Sequence, residues 1–253
     1  MSDLGVQPAA DVAPGLSQWQ RVSNTFTAPS KTFTDIKAGH RSWWFPFLIY
    51  AVLGYVFFAA VTTKIGMQTV AENQVRMDPK TEERMASLTP EQRATQMKIS
   101  VGFTQGIFIG GPVVLLIIMS VGSLVLWGTI NFGFGGKATF GSVFCAWMYA
   151  SLPSVVKTLL GIVVIYAGMA PESFNVRNFA PTNLGAFLAP GETNKVLYSL
   201  ASSLDFVTIW SLVLMGIGVS IVAGVKRNSG YIAVFGWWII MVLGGVIFAA
   251  VTS

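Results

Sequence analysis

The chain is poor in charge. Only 11% of its 253 residues are Asp, Glu, Lys or Arg, less than half of the roughly 25% found in soluble domains. A water-facing surface needs those charges, so the shortfall excludes an ordinary soluble domain. The composition also excludes disorder, collagen and coiled coil. Cysteine occurs once, at Cys145, and histidine once, at His40. A single Cys allows no internal disulfide. One His and one Cys far apart in sequence do not make a zinc site of the usual kind. Basic runs are missing too. The net charge of +5 is spread along the chain, which gives no support to nucleic-acid binding. The densest basic stretch, Lys31, Lys37 and Arg41, is too thin for a polybasic lipid-binding cluster. GxSxG, HExxH and P-loop patterns are absent. No catalytic residue, metal ligand or cofactor site is therefore assigned.

Apolar residues, in contrast, make up 53% of the chain, and the mean hydropathy is +0.62. They gather in long uncharged runs. Between Arg41 and Lys64 lie 22 residues without a charge, about 33 Å of helix at 1.5 Å per residue, enough for one crossing. Continued along the chain, these runs give spans at about 45–63, 105–130, 139–168, 205–225 and 231–251. Barrel-type alternation is absent. The expected fold is all-α: a polytopic membrane protein, a bundle of five transmembrane helices with short interfacial helices. Residues 1–25 read as a disordered polar tail and 26–253 as the membrane domain. No apolar signal region precedes the first span, so that span is expected to be retained.

Eleven charged residues stand from Lys64 to Lys98 inclusive, far too many for hydrocarbon. Residues 64–102 are therefore expected to form an extramembranous helical segment. Asp78-Pro79 and Thr89-Pro90 resemble helix starts within it. Both short loops, at Lys137 and at Lys226-Arg227, fall on the side of the N-terminus, which favours a cytoplasmic N-terminus.

Several residues invite two readings. Before the first span, Pro29 opens a short segment that would place Phe26, Phe33 and Ile36 toward the membrane, with Lys31, Asp35 and Lys37 outward. That describes an interfacial amphipathic helix, followed by Trp43 and Trp44 as headgroup-level anchors. It serves either as a plain anchor or as a partner's docking point, and the anchor is favoured. Gly106-xxx-Gly110 and Gly216-xxx-Ser220-xxx-Gly224 fit the small-xxx-small rule, for dimerisation or, preferably, for packing within the bundle. Pro112 and Pro153 interrupt spans two and three. They are read as tolerated kinks before broken transport helices. Lys157 and Asp205 are expected at similar depth as a candidate intramembrane ion pair, the alternative being a lysine that snorkels to water.

The order of these elements is similar to that of a known family. Pro29-xxx-Phe33-xx-Ile36 followed by Trp43-xx-Pro46 resembles the N-terminal signature of Yip-domain proteins of the bacterial type. The stretch Gly141 to Pro153, GSVFCAWMYASLP, looks like that family's third span. Leu204-Asp205-Phe206-xx-Ile209-Trp210, then Leu214-x-Gly216-x-Gly218, is similar to its fourth. The resemblance implies a non-enzymatic integral membrane protein that organises membrane or recruits partners. It also implies the inner membrane of a bacterium, with the lipid bilayer, other membrane proteins or a second copy as partners. The eukaryotic members that give the family its name bind Rab-type GTPases, but no GTPase-binding residue matches here. The alternative reading is a small-molecule or ion permease acting as an oligomer. Against it, the span interiors offer mainly Ser, Thr, Asn131 and Lys157.

Overall fold

Two short helices precede the first span in the computed structural model, which describes residues 15–251. Helix α1 (Gln18–Thr27) starts on a capping box in which Ser17 accepts from the Gln20 amide and the Gln20 side chain accepts from the Ser17 amide. Helix α2 (Pro29–Lys37) carries its proline at the first position, where the missing N–H costs nothing. The expected tail to residue 25 is thus corrected: α1 is ordered from Gln18, and residues 1–14 of that tail lie outside the described residues.

Helix α3 (Trp44–Lys64) is the first span. The polar segment after it folds as α4 (Met67–Arg76), α5 (Pro79–Ala86) and the first half of α6 (Pro90–Ile109). Thr89 and Gln92 cap α6 as Ser17 and Gln20 cap α1. The second span begins at Gly111, later than the uncharged run suggests, because α6 ends at Ile109 and α7 (Gly111–Gly128) starts afresh with Pro112 in its first turn. A five-residue π turn, Thr129–Gly133, prolongs α7. Asn131 then exchanges two 2.9 Å hydrogen bonds with the backbone of Ala138 and closes the loop.

The third span is broken. Helix α8 (Phe140–Ala150) ends in a turn at Ser151-Leu152, and α9 (Pro153–Tyr166) restarts on its proline. Neither Pro112 nor Pro153 kinks a continuous helix, because each stands in a first turn. After α9, the connection holds two 3₁₀ turns, at Pro171–Ser173 and Leu184–Phe187, and then α10 (Lys195–Ser203). Helices α11 (Phe206–Ala223) and α12 (Arg227–Val251) complete the chain. Five helical stretches are long and apolar enough to cross a membrane, and the fold is the all-helical bundle that the composition demands.

The main core lies where α2, α8 and α11 meet. Phe33, Ile36, Ala146, Tyr149 and Val219 are each 0% exposed there. This corrects the interfacial-helix expectation. Phe33 and Ile36 do not face lipid; they fill the bundle. Phe33 reaches Gly218 of α11, and Phe26 at the end of α1 meets the Trp210 ring edge-on at 5.6 Å. Asp35 turns inward, with its side chain 9% exposed. A second layer covers the other end of the bundle. Asn73 of α4 donates to the carbonyls of Pro171 (2.8 Å) and Phe174 (2.9 Å), Arg76 donates to that of Glu172, and Lys195 pairs with Asp78 at 3.1 Å. These contacts tie α4 and α5 to the connection between α9 and α11.

Candidate functional site

Two polar clusters stand out in a chain so short of charge. The first joins the α1–α2 hairpin to the bundle. Arg21 Nε donates to Asp35 Oδ2 at 2.5 Å, and Arg21 Nη1 donates to Ser42 Oγ at 2.5 Å. Asp35 Oδ1 also accepts from the Leu16 amide at 3.1 Å. The Tyr149 hydroxyl, at the end of α8, lies 3.1 Å from both Gln18 Oε1 and the Ser42 carbonyl. His40 Nδ1 stands 3.0 Å from Asp35 Oδ1. Burial works against the charge on Arg21, but the adjacent Asp35 and Tyr149 outweigh it and raise its pKa above the ordinary value. Both side chains of the ion pair are nearly sealed from water, 4% and 9% exposed. Sequence reading missed this cluster. The signal was available in Arg21, the one charge of α1, and Asp35, the one acid of α2, on two adjoining short helices with apolar faces. Ser42 and Tyr149 carried none.

The second cluster is at Asp205, which caps α11 by accepting from the Thr208 amide at 2.8 Å. Its other oxygen, Oδ2, accepts from Thr182 Oγ1 at 2.7 Å and from Lys157 Nζ at 2.8 Å. Lys157 also lies 5.8 Å from the centre of the Phe179 ring, a cation–π distance. Lys157 stands nine residues before the end of α9, about 14 Å of helix rise. The expected span of about 139–168 puts it at a similar place, eleven residues before the span end, so the lysine sits well inside the helix in both readings. The lysine does not reach past the helix end to water. Asp205 comes to it, held by the fold-back in which Phe206 N donates to the Thr182 carbonyl at 2.9 Å. Thr182 was not foreseen.

The remaining singled-out residues have plain places. A Cβ on Gly216 would run into the Tyr231 ring, and one on Gly230 would meet Ser220 Cβ at 2.9 Å. Gly216 and Ser220 therefore let α11 and α12 approach closely. Gly224 ends α11 with φ +69°, a left-handed cap that glycine adopts without strain. A Cβ on Gly106 would meet no atom within 4 Å, and Gly110 is close only to the carbonyl of Gly106 in its own helix. Neither brings a second helix close among the described residues. Trp43 and Trp44 stand at the start of α3, 38% and 51% exposed. Trp43 packs edge-on against Phe144 at 5.5 Å. Cys145 is buried in the core. Among the described residues, no group of three or more His, Cys, Asp or Glu is placed to hold a metal ion.

This arrangement, five apolar helices behind an embedded N-terminal hairpin, can be compared with known proteins. Residues 23–249 match the Yip1 domain. The chain belongs to the Yip1 family. The match begins inside α1, after Arg21, and ends inside α12, so it takes in the second half of α1, the whole of α2 and nearly all of the five spans. Comparison with curated proteins and with solved structures gives no match. As a Yip1-family chain with five such helices, it is a multi-pass membrane protein whose surroundings are a lipid bilayer.

Proposed function

We propose that this Yip1-family protein is a non-enzymatic scaffold that recruits protein partners to the membrane through its N-terminal hairpin, and that it does so from the cytoplasmic side of a bacterial inner membrane. The observation that carries this reading is the seating of the hairpin. A helix lying loosely on a bilayer drifts and rotates. Here α2 is locked into the core by Phe33 and Ile36, and α1 is clasped by Arg21, Asp35, Ser42 and Tyr149. The outer face of α1, with Gln20 and Ser23 exposed, is therefore held at fixed height and orientation. A partner that docks there pays less to order it, the usual advantage of a preorganised surface. The basic short loops on the same side support the orientation.

Site-specific photocrosslinking in native membranes tests the proposal. A crosslinker at Gln20 or Ser23 should give discrete protein adducts, lost when the same face carries Gln20→Glu and Ser23→Glu. Solute flux through liposomes containing the purified protein alone, with no adduct from α1, would overturn it in favour of a permease.

A further inference from the structure

Between α3, α6, α7 and α9 the bundle leaves a cleft of about 620 Å³. Its walls are mainly apolar, with Leu53 and Phe57 of α3, Phe108 of α6, Leu115 of α7 and Val155 of α9, and α9 adds the hydroxyls of Ser154 and Thr158. The two tyrosines beside them present rings rather than hydroxyls, because Tyr50 donates to the Met148 carbonyl at 2.8 Å and Tyr55 to that of Ile109 at 3.0 Å. Gly54, Tyr55, Phe103 and Ile107 line the cleft and are exposed. The cleft thus opens sideways, onto helix faces that the bilayer surrounds.

One end differs. Gln74 and Thr104 line it and face each other at 3.5 Å, and Arg177 from the connection after α9 stands beside them. Among the described residues no carboxylate lies within ion-pair distance of the Arg177 guanidinium. The acid whose charge Arg177 influences, Asp78, is already paired with Lys195. The volume falls within the range of about 300–1,000 Å³ typical of ligand sites. An apolar hollow open to hydrocarbon does not stay empty, because its lining would forfeit dispersion contacts. An acyl chain is the filler at hand.

We propose that this cleft binds a membrane phospholipid with an anionic headgroup, an acyl chain lying along the wall from Leu115 to Phe57 and the phosphate at Arg177. A zwitterionic headgroup brings its own cation to the same place and gains less from Arg177. Gly54 marks the room the chain occupies: a Cβ there would meet no atom within 4 Å. This site is independent of the hairpin and of any partner docked there.

The test uses the purified full chain in detergent micelles doped with equal phosphatidylglycerol and phosphatidylethanolamine, with retained lipid read by native mass spectrometry. The wild type should retain phosphatidylglycerol with a roughly fivefold preference, the size that one basic residue contributes at an anionic surface. Arg177→Gln should abolish the preference while lipid is still retained. Gly54→Phe should lose retention of both lipids, with helix content and thermal midpoint as checks on folding. A folded Gly54→Phe that retains wild-type lipid would overturn the proposal. So would an unchanged preference in Arg177→Gln.

Discussion

Asp205 does two jobs with two oxygens, and they separate by substitution. Oδ1 caps α11 through the Thr208 amide, and Oδ2 takes the Lys157 ammonium and the Thr182 hydroxyl. Asp205→Asn keeps an equally good cap and removes the charge. Lys157→Met removes the other charge at similar volume. A hydrogen bond to a charged group contributes about 1.5–3 kcal/mol, and breaking a fully buried pair costs about 3–5 kcal/mol. Lys157 is 23% exposed and Asp205 4%, so water compensates in part and each single substitution should cost about 1–2 kcal/mol. The double variant should cost less than the sum by about 1 kcal/mol, since neither charge is left alone. Asp205→Ala should cost about 1 kcal/mol more than Asp205→Asn, the worth of the cap. Equilibrium unfolding in mixed micelles, followed by tryptophan fluorescence, measures all four variants. Additivity within about 0.5 kcal/mol would show that the charges do not couple. The two residues would then be separate anchors that happen to lie close.

The hairpin clasp is drier than this pair, so Arg21→Ala, which strands Asp35, should cost about 3–5 kcal/mol, whereas Tyr149→Phe should cost about 1 kcal/mol; equal losses in the same unfolding assay would contradict the burial argument. Gly216→Val should destabilise by about 1–3 kcal/mol through collision with Tyr231, while Gly106→Val should leave the monomer's stability unchanged, and thermal midpoints in detergent decide it. Burial alone would raise the Asp78 pKa, but Thr81, Lys195 and Arg177 together hold it below the ordinary 3.8. A carboxylate lowered on folding stabilises the fold above its unfolded pKa, and that contribution fades as pH falls through the folded value. Asp78→Asn should therefore flatten the acid limb of the stability profile below about pH 4, and a parallel profile would refute the pairing with Lys195.

What could be read from sequence followed from the solvent. Uncharged runs of some twenty residues have one economical fate in a bilayer, and five such runs give five crossing helices. The segment 64–102 was equally legible, since hydrocarbon does not accept eleven charges. Boundaries set by charge alone were less secure. Gly110 and the Ser151-Leu152 turn break helices without any charge to mark them. The α1–α2 hairpin was misjudged for a physical reason. An amphipathic helix shows which face is apolar but not what that face meets, and lipid and protein core look the same in a pattern of Phe33 and Ile36. Asp35 carried the hint, because its sequence position allowed it to be drawn inward by Arg21, which only the folded hairpin brings near. Of the second cluster, Lys157 and Asp205 could be singled out as charges at the edge of silence. Thr182 is one hydroxyl among many.

Helix α11 explains why both clusters exist. In lipid there is no hydrophobic force to drive helices together, so the bundle depends on close packing and on polar clasps. Of α11, 56% is buried, against 11% of an equal stretch of α12, which makes α11 the axis of the fold. Its start is pinned by Asp205 to Lys157 on α9 and to Thr182 in the connection. Its far half is held by close packing: Phe33 of α2 fits against Gly218, and Tyr231 of α12 against Gly216. The Arg21–Asp35 clasp then fixes the helix that supplies Phe33. The turn at Ser151-Leu152 lets one span serve both ends. Helix α8 brings Tyr149 to the hairpin, and α9 brings Lys157, eight residues on, to Asp205. An unbroken helix would place residues 149 and 157 about 12 Å apart along one axis and could not turn them to separate neighbours so freely. The break at the proline is thus part of how one span reaches the hairpin with the Tyr149 hydroxyl and the start of the central helix with the Lys157 charge.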